Sequence, residues 1–112
     1  MTRASGTSPG PNLRRVADRS RYAVLALDSV RVNSQPARLY AFADRFEVVD
    51  PQGLRVIALV DVARIRSKIG LRRGRIYVEV SDGETLEIRS LKAADASVAY
   101  RLMVELARDA NH

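Results

Sequence analysis

Between Arg75 and Arg89 apolar and polar positions alternate with period two. Ile76, Val78 and Val80 interleave with Arg75, Tyr77 and Glu79, and then Leu86 and Ile88 interleave with Thr85, Glu87 and Arg89, the pattern of two half-buried strands. Asp82-Gly83 between them is a residue pair that a two-residue hairpin turn with positive φ favours. From Ala93 the period changes to that of a helix: Val98, Ala99, Leu102, Met103 and Leu106 share one side of an element predicted over 93–110. The hairpin has one apolar face and the helix one apolar stripe, so each can cover the other. On this reading Leu102→Ala or Leu106→Ala costs about 2–5 kcal/mol.

Upstream, the pattern predicts five more short strands. Tyr22 to Val32 forms the first, with Leu25, Leu27 and Ser29 on one face and Val24, Ala26 and Asp28 on the other, and Asn33-Ser34-Gln35-Pro36 ends it. Arg38 to Phe42 forms the second, Ala43-Asp44 a turn, and Arg45 to Val49 the third, with Phe46 and Val48 inward. Asp50-Pro51-Gln52-Gly53 is a strong turn signal, Pro fixing φ near −65° and Gly supplying φ > 0. Leu54 to Leu59 is the fourth strand, Asp61-Val62 a crossing, and Arg64 to Ile69 the fifth, with Ile65, Ser67 and Ile69 opposed to Arg64, Arg66 and Lys68. Gly70 to Gly74 closes on the sixth strand as a basic five-residue loop. Connections this short imply antiparallel neighbours. The fold class is therefore mainly β with one C-terminal α-helix: a seven-stranded antiparallel barrel, or two near-orthogonal sheets, capped by the helix.

At 112 residues the chain is one domain, large enough to bury a core without staples. Cysteine is absent, which removes disulfides and thiolate sites. No apolar run approaches the roughly 20 residues of a membrane span, and the N-terminus lacks the apolar centre of a secretory signal. A cytoplasmic location, with membrane association as an extension of it, is the expectation. Residues 1–12 are Thr, Ser, Gly and Pro with one Arg, and residues 13–21 are basic around Leu13 and Val16. Residues 1–21 thus read as a flexible basic tail before a domain spanning 22–110. The net charge of +6 is uneven. The tail holds five arginines against one aspartate, and Arg64, Arg66, Lys68, Arg72, Arg73 and Arg75 stand in a stretch with no acid. The rest of the domain is acidic on balance, so the molecule is polarised.

Three stretches carry a family resemblance. Leu39-Tyr40-Ala41-Phe42-Ala43-Asp44-Arg45-Phe46-Glu47-Val48-Val49-Asp50 is similar to the second and third strands of pleckstrin-homology-like domains of the bacterial PH-like and GRAM-type branch, with their Asp-Arg turn. Ile57-Ala58-Leu59-Val60-Asp61-Val62-Ala63-Arg64-Ile65 resembles their crossing from strand four to five. Tyr77-Val78-Glu79-Val80-Ser81-Asp82-Gly83-Glu84-Thr85-Leu86-Glu87-Ile88 resembles their last hairpin. The resemblance covers residues 22–110 and implies a non-enzymatic binding or adaptor module for a protein or peptide partner, or for anionic lipid. Lipid-reading members place basic residues around the first hairpin loop. Here Asn33 to Ala37 holds none, with Arg31 and Arg38 only at its edges. Peptides in such folds dock between strand five and the C-terminal helix, which implies a groove along Arg64 to Ile69 and one edge of Ala93 to Ala107.

The candidate site for a partner or anion is Arg64, Arg66, Lys68, Arg72, Arg73 and Arg75. Six cations around one hairpin suit an acidic partner, an anionic membrane surface or phosphates. Glu79 and Glu87 stand where they can pair with Arg64, Arg66 and Arg75 across the sheet, which would make the stretch a solvated outer face. A protein or peptide partner ranks first. Anionic membrane, reached by this hairpin and the N-terminal arm, ranks second. Nucleic acid ranks third, because Tyr77 is the one aromatic placed beside Arg75. No catalytic, metal or cofactor site is expected. The single histidine is His112 at the end of the chain, Asp28, Asp44, Asp50 and Asp61 sit at turns or strand ends, and Ser29 and Ser34 lack an activating base.

Overall fold

Alternation of Val, Ile, Leu and Phe with polar residues sets the strands, and Gly, Asn, Asp and Pro set where they turn. The computed structural model describes residues 22–111. Its elements are β1 (Leu25–Val32), β2 (Gln35–Ala41), β3 (Arg45–Asp50), β4 (Gly53–Ala58), a 3₁₀ turn (Leu59–Asp61), β5 (Val62–Ile69), β6 (Arg73–Val80), β7 (Thr85–Lys92) and α1 (Ala93–Ala110). The strands form one antiparallel sheet in the order β4-β3-β2-β1-β7-β6-β5. The sheet curls into a half-barrel whose two outer strands, β4 and β5, do not pair with each other, and α1 caps it by packing on β5, β6, β7 and the 3₁₀ turn. The expected tail, residues 1–21, and His112 lie outside the described residues.

The core joins both halves of the sheet to the helix. Leu39, Phe46, Val48 and Ile57 meet Ile76, Val78, Leu86 and Ile88, and Leu59 of the 3₁₀ turn packs with Ala96, Ala99 and Met103 of α1. The 3₁₀ turn, rather than Asp61-Val62, makes the crossing to β5. It is pinned at both ends: Leu59 N–H donates to the Asp44 carbonyl at 2.9 Å, and Ser81 donates to the Asp61 carbonyl from N–H and hydroxyl, each at 2.8 Å. Asn111 Nδ2 donates to the Leu59 carbonyl at 3.2 Å and to the Ala107 carbonyl at 2.7 Å, tying the end of α1 to the same turn.

Four local expectations change. The two-residue turn with positive φ is Asn33-Ser34 (φ 51° and 71°), so β2 begins at Gln35. Asp82-Gly83 belongs to a longer loop in which Gly83 (φ 98°) donates to the Val80 carbonyl and Val80 N–H donates to that of Glu84, a turn followed by a bulge. A register shift between Leu27 and Val30 in β1 turns Val30 and Val32 inward and Ser29 outward. Gly70 N–H donates to the Arg73 carbonyl, which shortens the basic loop and starts β6 at Arg73.

The helix spans its predicted range with its stripe rotated. Ala96, Ala99 and Met103 are fully buried, and Tyr100, Leu106 and Ala110 pack beside them. Val98 is 59% exposed and Leu102 is half-buried outside the cluster. The cause is close approach. A Cβ on Gly74 of β6 would lie 2.4 Å from the Ala96 Cβ, so the helix rests its small residues on the sheet where β6 has no side chain.

Candidate functional site

Strand alternation places Arg64, Arg66 and Lys68 on the outer face of β5, opposite Glu79, Tyr77 and Arg75 of β6. Arg64 Nε lies 3.2 Å and Arg66 Nε 2.6 Å from the same Glu79 oxygen. The hydrogen bond from Arg66, reinforced by the charge of Arg64, holds the Glu79 carboxyl below the usual carboxylate range against the opposing effect of desolvation. The Arg66 guanidinium also lies over the Tyr77 ring, 5.0 Å from its centroid, so that aromatic face is occupied within the domain. The end of β5 is barely covered: Ile69 is 42% exposed.

Lys68, Arg73 and Arg75 belong to a different arrangement. With Arg31 of β1 and Arg89 of β7 they line an open cavity of about 600 Å³, to which Ser34 and Ser90 add hydroxyls. Register builds this cup. Arg31 stands directly opposite Arg89, and Lys68 directly opposite Arg75. Between β6 and β7 the register shifts, Gly74 facing Leu91 and Ile76 facing Ile88, so β7 carries an extra residue opposite Arg75. Ser90 lies in that bulge at φ 66°. Glu87 approaches the cup from one side, at 3.8 Å from Arg75 and 4.0 Å from Arg89.

The six predicted residues thus divide. Arg64 and Arg66 are paired with Glu79; Lys68, Arg73 and Arg75 join the cup; Arg72 sits on the turn, where its carbonyl accepts the Ala93 N–H and ties the turn to the start of α1. Arg31 and Arg89 were missed as site residues, because they are 58 positions apart in sequence and meet only through the β1–β7 pairing. Leu71 at the tip of the same turn is fully exposed. A second polar cluster lies at the other end of the sheet: Arg45 donates to Glu47 at 2.6 Å and Asp44 at 2.7 Å and stacks 4.2 Å from the centre of the Phe42 ring. Glu47 is 3% exposed, and the hydrogen bond to it raises the Arg45 pKa. Among the described residues no cluster of three metal-binding side chains occurs, and no helix is long and apolar enough to cross a membrane.

This architecture has a counterpart among solved structures. The pleckstrin homology (PH) domain of USP37 is similar over 75% of this chain and 96% of that one, with a TM-score of 0.58 and 13% sequence identity. The fold is PH-like. At that identity the likeness concerns fold alone, and sites are argued from their own residues. No protein-family model and no curated protein matches the sequence. The PH-like frame explains the placement of the candidates: β5 ends the strand order among the described residues, while the cup lies where β1, β7, β6 and β5 run side by side.

Proposed function

We propose that this PH-like fold serves as a non-enzymatic binding module that takes a protein or peptide partner as an added strand along β5. The observation that carries this reading is the position of β5 at the end of the strand order, with β6 as its one strand neighbour among the described residues. An eight-residue edge offers main-chain hydrogen bonds to an extended segment, and alternate side chains supply selectivity. Arg64 and Arg66 share one carboxylate, Glu79, and Lys68 faces Arg75, so the outer face keeps a positive excess. The matching partner is an extended segment with acidic residues on that face and apolar ones toward Ile65 and Ile69. The test is titration with a peptide of alternating Glu and Val, followed by backbone amide resonances. Shifts centred on residues 64–69, lost in Arg64→Glu/Arg66→Glu/Lys68→Glu, are expected. Unchanged affinity in the charge-reversed chain would reject the reading.

A second reading, attachment to an anionic membrane surface, is favoured by Leu71, an apolar side chain fully exposed on a turn flanked by Arg72 and Arg73. The basic segment 13–21 is a sequence-level contributor to it. Co-sedimentation with vesicles that contain anionic lipid, abolished by high salt, is the expected result. Equal binding to neutral vesicles counts against it.

A further inference from the structure

We propose that the basic segment 13–21 packs on the outer face of β2 and β3, over Tyr40, Phe42 and Glu47. Leu39, Ala41, Phe46 and Val48 enter the core. Strand alternation therefore points Tyr40 and Glu47, which stand opposite each other, away from it. Their row continues to Ala26 of β1 on one side and Val56 of β4 on the other. A face turned away from the core of an antiparallel sheet is ordinarily wetted. Yet Tyr40 is 1% and Glu47 3% exposed, Phe42 is buried beside them, and none of the three belongs to the core cluster. At the margins of the same row Ala26 is exposed and Val56 is 53% exposed. The covered patch is therefore narrow and centred on β2 and β3. Among the described residues the helix does not supply the cover, because α1 packs on β5, β6, β7 and the 3₁₀ turn.

The chain itself supplies an occupant of fitting chemistry and reach. The described residues begin at Tyr22, and Val24 N–H donates to the Ala41 carbonyl at 2.8 Å, so the chain enters β1 beside the patch. Crossing from β1 to β4 covers three strand spacings, about 14 Å. Nine residues span about 13 Å as a helix and about 30 Å when extended, so segment 13–21 reaches across in either form. It carries Arg14, Arg15, Arg19 and Arg21 around Leu13 and Val16. The patch offers the complement. The rings of Tyr40 and Phe42 suit the apolar residues, and Asp44 and Glu47 place two carboxylates beside the Arg45 guanidinium. A carboxylate as buried as Glu47 needs cationic partners, since desolvation otherwise opposes its charge. An arginine of the segment joins Arg45 in that role. Arginines held on this face are withdrawn from lipid, so docking competes with attachment to an anionic membrane.

The experiment uses the full chain, which has no cysteine of its own. Asn12→Cys carries a nitroxide just ahead of the segment, and backbone amide resonances report which residues it approaches. Paramagnetic broadening focused on Tyr40, Glu47 and Val56, with Arg73 to Arg75 in the other half of the sheet spared, is expected. Adding Leu13→Ser/Val16→Ser to the labelled chain should abolish that focus by removing the apolar contact. Arg19→Glu/Arg21→Glu should abolish it through charge. Broadening spread evenly over the domain, or a focus that survives unchanged in either variant, overturns the proposal. A mixture of nitroxide-labelled chain with isotope-labelled chain lacking the nitroxide tests the other occupant. Broadening of Tyr40 and Glu47 in that mixture means that a second copy covers the patch, which also overturns it; sharp resonances there, with the focus kept in the singly labelled chain, support it. Neither the probe nor the variants involve residues 64–69, so strand addition at β5 stands or falls separately.

Discussion

Asn33 and Glu87 complete the seam between the two halves of the sheet. Asn33 N–H donates to the Glu87 carbonyl at 2.9 Å, and Glu87 N–H donates to Asn33 Oδ1 at 2.8 Å. The side-chain oxygen thereby takes the place of a strand carbonyl and extends a β1–β7 ladder whose register otherwise holds two pairs, Arg31 with Arg89 and Val32 with Ile88. Asn33 also tolerates the positive φ of the turn (51°), as few residues with a Cβ do. Asn33→Gly keeps the turn and deletes the side-chain bond, which should cost about 1 kcal/mol. Asn33→Leu loses both and should cost more. Urea denaturation ranks the variants, and faster hydrogen exchange at the Glu87 amide localises the effect.

Gly74 and Ala96 set how closely α1 lies on β6. A Cβ on Gly74 would come within 2.4 Å of the Ala96 Cβ, so Gly74→Ala should destabilise by about 1–3 kcal/mol through overpacking. Ala96→Gly in the same chain should restore part of that loss, offset by the roughly 1 kcal/mol that glycine costs in a helix. A thermal double-mutant cycle reads the coupling; strict additivity would show that the two sites do not press on each other.

Met103, fully buried at the centre of the core, should cost about 2–5 kcal/mol when cut to Ala. Leu102, half-buried beside it, should cost less than half as much. Chemical denaturation of the two variants checks the rotation of the stripe, since the reverse order would place Leu102 at the centre.

Glu79 predicts a pH dependence with a definite sign. Its folded-state carboxyl titrates below its ordinary value, chiefly because Arg66 donates a hydrogen bond to it. A depressed carboxylate contributes stability that is fully present above its unfolded pKa and is lost as pH falls through the folded one. The stability difference between the wild type and Glu79→Gln should therefore be constant near neutrality and shrink on acidification. Measured stabilities that fall in parallel across the acid range would contradict it. The pair is exposed and shared between two arginines, so the difference should fade with added salt.

The sequence by itself determined the number and kind of elements. Period-two runs such as Ile76-Val78-Val80 and the helical spacing from Ala93 to Ala110 depend on neighbours within a few positions, and local patterns carry that information. The positive stretch from Arg64 to Arg75 and the carboxylates opposite it were legible for the same reason. What the tertiary structure alone decided is which of those side chains meet. A register shift in β1 reversed the facing of Ser29 and Val30, the missing Cβ of Gly74 drew Ala96 rather than Val98 onto the sheet, and a bulge at Ser90 brought Arg89 beside Arg75. Each depends on contact between segments distant in the chain. That is why Arg31 and Arg89, unremarkable in the sequence, face each other in the cup only after β1 and β7 have paired.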